Sequence, residues 1–197
     1  MPPTKLSHVV FQTNRKQEMQ EWYCAVLGGH VAYEDTHLGF MTYDDEHHRV
    51  AFVDPGPLAA RGRKPDMAVP PSEASGLHHV AFTFGSMGDL LANYTRLAAR
   101  GIRPFRSIDH GATTSMYYLD PDGNRVELLV DNFTTVEEAR AWMESAAFAR
   151  NPVGVDFDPE QHVRKFEAGL PVTELVGRKA REGRGPLRRG IASARGS

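Results

Sequence analysis

Two histidines and a glutamate, His8, His79 and Glu127, are of the types and in the places that could hold one divalent metal. His8 and His79 belong to two copies of one segment. Leu6, His8, Val9 and Phe11 recur as Leu77, His79, Val80 and Phe82 at an offset of 71 residues, and Tyr23 recurs as Tyr94 at the same offset. A duplicated unit sets like residues about a pseudo-twofold axis, where a metal can draw ligands from both halves. Glu127, between Val126 and Leu128, is desolvated on folding and needs a cation, because a buried unpaired carboxylate costs several kcal/mol. Superposing His48-Arg49-Val50-Ala51 on Asn124-Arg125-Val126-Glu127 through the shared Arg-Val sets Glu127 opposite Ala51. The first copy then supplies one ligand and the second two. Two imidazoles and a carboxylate with open positions form the set typical of non-haem Fe(II) oxygen chemistry, with Mn(II) as the other candidate. Taken singly, each residue also suits a plainer role: a satisfied core histidine, or a glutamate paired with Arg125.

The elements that must position these groups follow from periodicity. Residues 6–13 alternate as a strand, which sets His8 on the face opposite Val9 and Phe11. A helix follows, with Asn14 as cap, Gln17 at the capping-box position, a stripe of Met19, Trp22, Tyr23, Val26 and Leu27, and Gly28-Gly29 as stop. Strands at 30–34, 38–43 and 49–53 complete a βαβββ unit. After a Pro-, Gly- and Ser-rich connection from Asp54 to Gly76, the order repeats. It comprises a strand over 77–84, a helix capped by Ser86 and ended by Gly101, and strands at 102–108, 114–119 and 124–130, the last two joined by the turn Asp120-Pro-Asp-Gly123. The fold class is α+β: two tandem βαβββ modules, about 4–54 and 76–133, forming a curved mixed sheet around a metal site within a domain of residues 1–133. Residues 134–176 form a helical extension, with helices over 136–150 and 158–168. Residues 177–197, rich in Arg, Lys, Gly and Ser, are expected to be a disordered basic tail.

Composition narrows the partners. The chain has 197 residues, 41% of them hydrophobic, with a formal charge of −2, so it can bury a core but has no global attraction for nucleic acid or an anionic membrane. No apolar run reaches the length of a membrane span and the N-terminus has no signal-peptide core. The single cysteine, Cys24, lies on a helix stripe and reads as a small buried hydrophobe. A cytoplasmic enzyme is the expectation, as a homo-oligomer whose apolar extension (Trp142, Met143, Phe148, Phe166) docks on the domain or on a second subunit.

Three motifs carry a family resemblance over roughly residues 4–133: the His-x-x-Phe strand at His8, the His-Val-Ala-Phe strand at His79, and Asp120-Pro-Asp-Gly-Asn-Arg-Val-Glu127. The chain resembles the vicinal oxygen chelate superfamily, which includes glyoxalases, bleomycin resistance proteins and dioxygenases. Within it the chain resembles the extradiol ring-cleaving catechol dioxygenases, as a short member with only the catalytic pair of modules. The resemblance implies an aromatic diol and O2 as substrates and Fe(II) held by His8, His79 and Glu127. It assigns active-site acid/base work to His48 in the Glu-His-His-Arg-Val-Ala-Phe run at 46–52, and hydrogen bonding to substrate oxygens to Tyr117 and to His110 of His110-Gly111. His47, beside His48, reads as a turn residue. His30, His37, His78 and His162 have no such case.

Two other readings stay open at this point, since one fold hosts many chemistries. A glyoxalase- or epimerase-like lyase or isomerase wants a fourth protein ligand where Ala51 stands. A non-catalytic small-molecule binder needs neither Glu127 nor a metal.

Overall fold

The computed structural model describes residues 2–58 and 76–175. The expected basic tail and most of the Pro-rich connection lie outside the described residues. The first module runs β1 (Val9–Gln12), α1 (Lys16–Leu27), β2 (His30–Glu34), β3 (Leu38–Thr42) and β4 (Val50–Val53); the second runs β5 (Val80–Thr83), α2 (Met87–Ala98), β6 (Arg106–Asp109), β7 (Thr113–Leu119) and β8 (Arg125–Asp131). Each module builds its own mixed sheet, in the orders β1-β4-β3-β2 and β5-β8-β7-β6, the second extended at its β6 edge by a short strand, β9 (Val155–Asp156). The first and last strands of each module pair in parallel at corresponding positions, Val10 with Ala51 and Ala81 with Glu127. The Arg-Val superposition is therefore realised in the hydrogen-bonded register.

Alternation divides each sheet into two faces. One carries Phe11, Met41, Val50 and Phe52 in the first module and Met116, Tyr118, Val126, Leu128 and Val130 in the second; with Met19, Tyr23, Val26, Leu90, Leu91, Tyr94 and Leu97 of α1 and α2 they form a single core through both modules. Cys24, half-buried, packs against that core. The other face carries the candidate site.

Polar ties on the helix side lock the modules together. Tyr23 Oη donates to Asp120 Oδ2 (3.1 Å), Asn93 Nδ2 to Val26 O (3.1 Å) and Arg96 to Ala25 O (2.6 Å). Asp120 is buried, which pushes its carboxyl up from the usual carboxylate range. Its Oδ1 also accepts the Asp122 and Asn124 amides, at 3.0 and 2.7 Å, inside the turn closed by Gly123 N→Asp120 O.

Several boundaries differ from the sequence reading. Asn14 does not cap α1: the position is Arg15, with no side-chain cap, and Thr13 Oγ1 accepts the Arg15 amide. Asn14 instead bonds Asp54, Gly56 O and the Leu58 amide, holding the chain that leaves β4. Gln17 bonds Glu21 rather than closing a capping box. Ser86 does cap α2, accepting the Asp89 amide at 3.1 Å. The strand expected from residue 102 starts at Arg106, because the end of α2 is finished by Ile102 N→Leu97 O around Gly101 at φ 76°, and Pro104 has no amide to pair. The helix expected over 136–150 is two, α3 (Val136–Met143) and α4 (Ala146–Arg150). Ser145 intervenes and takes the Phe148 amide as a new cap. α5 (Pro159–Glu167), capped by Asp158, fits the expected second helix, while α6 (Val172–Leu175) and β9 were not foreseen.

Candidate active site

His8 and His79 stand one residue before the paired part of β1 and β5, where Val9 N→Arg49 O closes the first module's ladder. In the second module the parallel pair Ala81–Glu127 and the antiparallel pair Tyr117–Glu127 set β5, β8 and β7 side chains on one face. A continuous line of polar contacts results. His79 Nε2 lies 2.8 Å from Glu127 Oε2; Tyr117 Oη donates to Glu127 Oε1 at 2.8 Å; His110 Nε2 lies 2.9 Å from Tyr117 Oη; and His110 Nδ1 bonds Val153 O at 2.6 Å. Glu127 is 5% exposed. Burial and the hydrogen bond to Glu127 raise the Tyr117 hydroxyl above its ordinary range, so it remains a neutral donor near neutral pH.

In the first module Ala51 stands where Glu127 does, and the groups around it are rings. Phe40 pairs with Ala51 as Tyr117 pairs with Glu127. The His48 ring lies between Phe40 and His8, with centroids 4.6 Å and 4.4 Å away, and its Nδ1 is 2.6 Å from that of His47. Burial first, then the neighbouring His8 and His47, lower the His48 imidazole below its usual value, which keeps it in the proton-accepting form.

The donor set fits a metal in part. Two ligands at right angles, each about 2.1 Å from one ion, stand about 3 Å apart, and His79 and Glu127 are at that separation. His8 is not in the same cluster: among the described residues no three His, Cys, Asp or Glu side chains converge to hold a metal, and His8 packs on His48 instead. The structure thus joins His79, Glu127, Tyr117 and His110, and separately joins His8 and His48.

Three participants were missed by sequence reasoning. Phe40 lies eleven residues before Ala51 whereas Tyr117 lies ten before Glu127, so a longer hairpin hides the correspondence. The Val153 carbonyl carries no side-chain signal. Arg125, whose Nη1 lies 2.7 Å from His78 Nε2, was visible only as a possible partner for Glu127.

The glyoxalase/bleomycin resistance protein/dioxygenase superfamily model matches residues 5–128. The chain belongs to that superfamily. It is 48% identical over 172 residues to biphenyl-2,3-diol 1,2-dioxygenase 2 of Rhodococcus globerulus, covering 87% of this chain and 86% of the relative. It is 42% identical over 174 residues to biphenyl-2,3-diol 1,2-dioxygenase 3 of the same organism, covering 88% of each. These matches exceed the paired modules in length and so reach into the C-terminal extension, beyond the span of the motifs that first suggested the superfamily. Among solved structures, lactoylglutathione lyase from Agrobacterium tumefaciens superposes with a TM-score of 0.50 at 20% identity, over 66% of this chain and 96% of the other, a likeness of fold.

Proposed function

We propose that the protein is an extradiol dioxygenase that opens the ring of an aryl-substituted catechol. The observation that carries this is the 48% identity to a biphenyl-2,3-diol 1,2-dioxygenase across most of both chains. The numbering in that name places the cleaved 1,2 bond beside the 2,3-diol rather than within it, and both oxygen atoms of O2 enter the product, so no external reductant is needed. A lyase or isomerase reading is less well supported, since Ala51 occupies the place a fourth ligand would take.

His79 and Glu127, with His8 from the first module, would hold Fe(II) or Mn(II). When bound, such a metal supplies bidentate chelation of the catechol and an electron path from substrate to O2. The protein's residues have separate tasks. His48, held neutral among rings, accepts a proton from the second catechol hydroxyl and returns it as the ring opens. When substrate is bound, the single Tyr117 proton turns from Glu127 to His110 Nε2, which holds the hydroxyl in place, and the Tyr117 oxygen accepts from a substrate hydroxyl. Half-exposed Val10 and the ring of Phe40 offer an apolar wall for the aryl substituent and exclude water from it. A cytoplasmic, self-associated enzyme with no nucleic-acid or membrane partner completes the proposal. The low net charge supports it, and no helix of the described residues is long and apolar enough to cross a membrane.

The test is anaerobic metal reconstitution followed by oxygen-uptake assays on 2,3-dihydroxybiphenyl, unsubstituted catechol and a 1,3-diol. Uptake matching loss of the 2,3-diol, smaller for catechol and absent for the 1,3-diol, is expected. No uptake by fully metallated protein on any 1,2-diol would overturn the reading.

A further inference from the structure

Beyond the duplicated modules, the C-terminal extension closes on one short loop of the second module. Gly111, at φ 85°, lies flat under the indole of Trp142 of α3, where an added Cβ would stand 2.6 Å from the ring. On another side Gly154, at φ 96°, is pressed against Asp109 and His110, where a Cβ would meet Asp109 O at 2.1 Å. Only glycine permits both approaches. β9 then pairs with β6, Val155 opposite Asp109, so the extension is stitched to the strand that leads into His110. Asn151 shapes the intervening turn: its Nδ2 donates to Gly154 O at 2.9 Å and its Oδ1 accepts the Gly154 amide at 3.1 Å. The result is that Val153 O faces His110 Nδ1 at 2.6 Å.

A carbonyl oxygen can only accept, so the proton of His110 resides on Nδ1. The other nitrogen, Nε2, is then an acceptor facing Tyr117 Oη, whose one proton it shares in turn with Glu127 Oε1. We propose that residues 142–154 of the extension are a positioning part of the active site, with the Val153 carbonyl, held by the Asn151 turn, setting the tautomer and ring direction of His110. This rests on the functional reading above, in which His110 and Tyr117 act on the substrate. Without that carbonyl the ring can rotate and carry its proton on either nitrogen. The substrate-side hydrogen bond is then made in only part of the population. Neither Asn151 nor Val153 touches the substrate in this arrangement; both act through His110.

Asn151→Ala in the full-length protein removes both bonds that shape the turn. The expected result is unchanged metal content and thermal midpoint, a nearly unchanged KM, and a kcat lower by about 10- to 100-fold, as for a small misplacement of a reacting group. In 15N-histidine spectra the Nδ1–H signature of His110 should be present in the parent and lost in Asn151→Ala. In a His110→Ala background, Asn151→Ala should cost nothing further, because the two residues act as a unit. Asn151→Asp, which keeps the acceptor for the Gly154 amide but loses the donor to Gly154 O, should repeat the pattern at smaller size and stands in if Asn151→Ala is poorly folded. Independent, multiplicative losses, or an unaltered Nδ1–H signature alongside the kcat loss, would overturn the proposal. Full turnover in His110→Ala overturns it through the functional reading; the nitrogen spectrum, which needs no turnover, tells the two failures apart.

Discussion

The two modules share a fold and a register but present different chemistry on the face away from the helices. In the second, His79, Glu127, Tyr117 and His110 are linked atom to atom by contacts of 2.8–2.9 Å. In the first, the matching positions are His8, Ala51 and Phe40, and the additional histidine, His48, is held by ring stacking. Duplication kept the strand geometry, which is fixed by the shared core, and left the face away from the helices free to diverge. One half became a charged, hydrogen-bonded cradle suited to a cation and a substrate oxygen. The other became a low-polarity wall that holds one histidine neutral. A ring-opening site needs both properties at once.

The comparison breaks most severely at the ligand-equivalent pair. Glu127→Ala makes the second module resemble the first, and the bound metal and turnover should both be lost, as read by elemental analysis and oxygen uptake. The converse, Ala51→Glu, should keep the metal but lose turnover, because a fourth protein ligand occupies a position the catechol needs. Metal retained in Glu127→Ala would show that the two halves are not chemically distinct.

His48→Gln keeps size and polarity but removes the titrating proton. Turnover should fall by about 10²–10⁴ with full metal occupancy. The pH profile carries the sign. Because the His48 value is lowered, its base form persists below the ordinary imidazole value of about 6.5, and activity is lost only as pH falls through that lowered value. The variant should lack this acid limb. An unchanged limb would assign the proton to another group, with His47 and His110 next in line.

Tyr117→Phe installs the first module's residue in the second. It deletes one hydrogen bond to a charged group and should lower turnover by about 10- to 100-fold with metal retained. The smallest effect separates the helices. Ser86→Ala should destabilise the protein by about 1 kcal/mol in chemical denaturation through loss of the α2 cap. Asn14→Ala should leave α1 intact and loosen only residues 54–58.

These pairs also show what the sequence could reveal. The recurrence of His8 as His79 and the shared Arg-Val were enough to give the βαβββ order and the equivalence of Ala51 with Glu127, because core alternation leaves a strong pattern. The cap of α1 was misread because Asn14 is a good cap type, yet its amide found three better partners in the chain leaving β4. Phe40 was hidden by a change in hairpin length. The Val153 contact was hidden for a different reason: a backbone carbonyl, delivered by a strand of two residues, leaves no trace in residue type. His47 was read as a turn residue and lies exposed in the bend before β4, with its ring against His48.

The central claim is that one metal draws ligands from both modules, and His8 is the ligand on which it turns, since His79 and Glu127 already stand together while His8 packs on His48. Elemental analysis of the full-length protein and of His8→Ala, after identical anaerobic reconstitution, tests it most directly. The account predicts about one iron or manganese per chain in the parent and a marked loss in His8→Ala with the fold intact. Stoichiometric metal retained in His8→Ala would contradict it and place the site wholly within the second module.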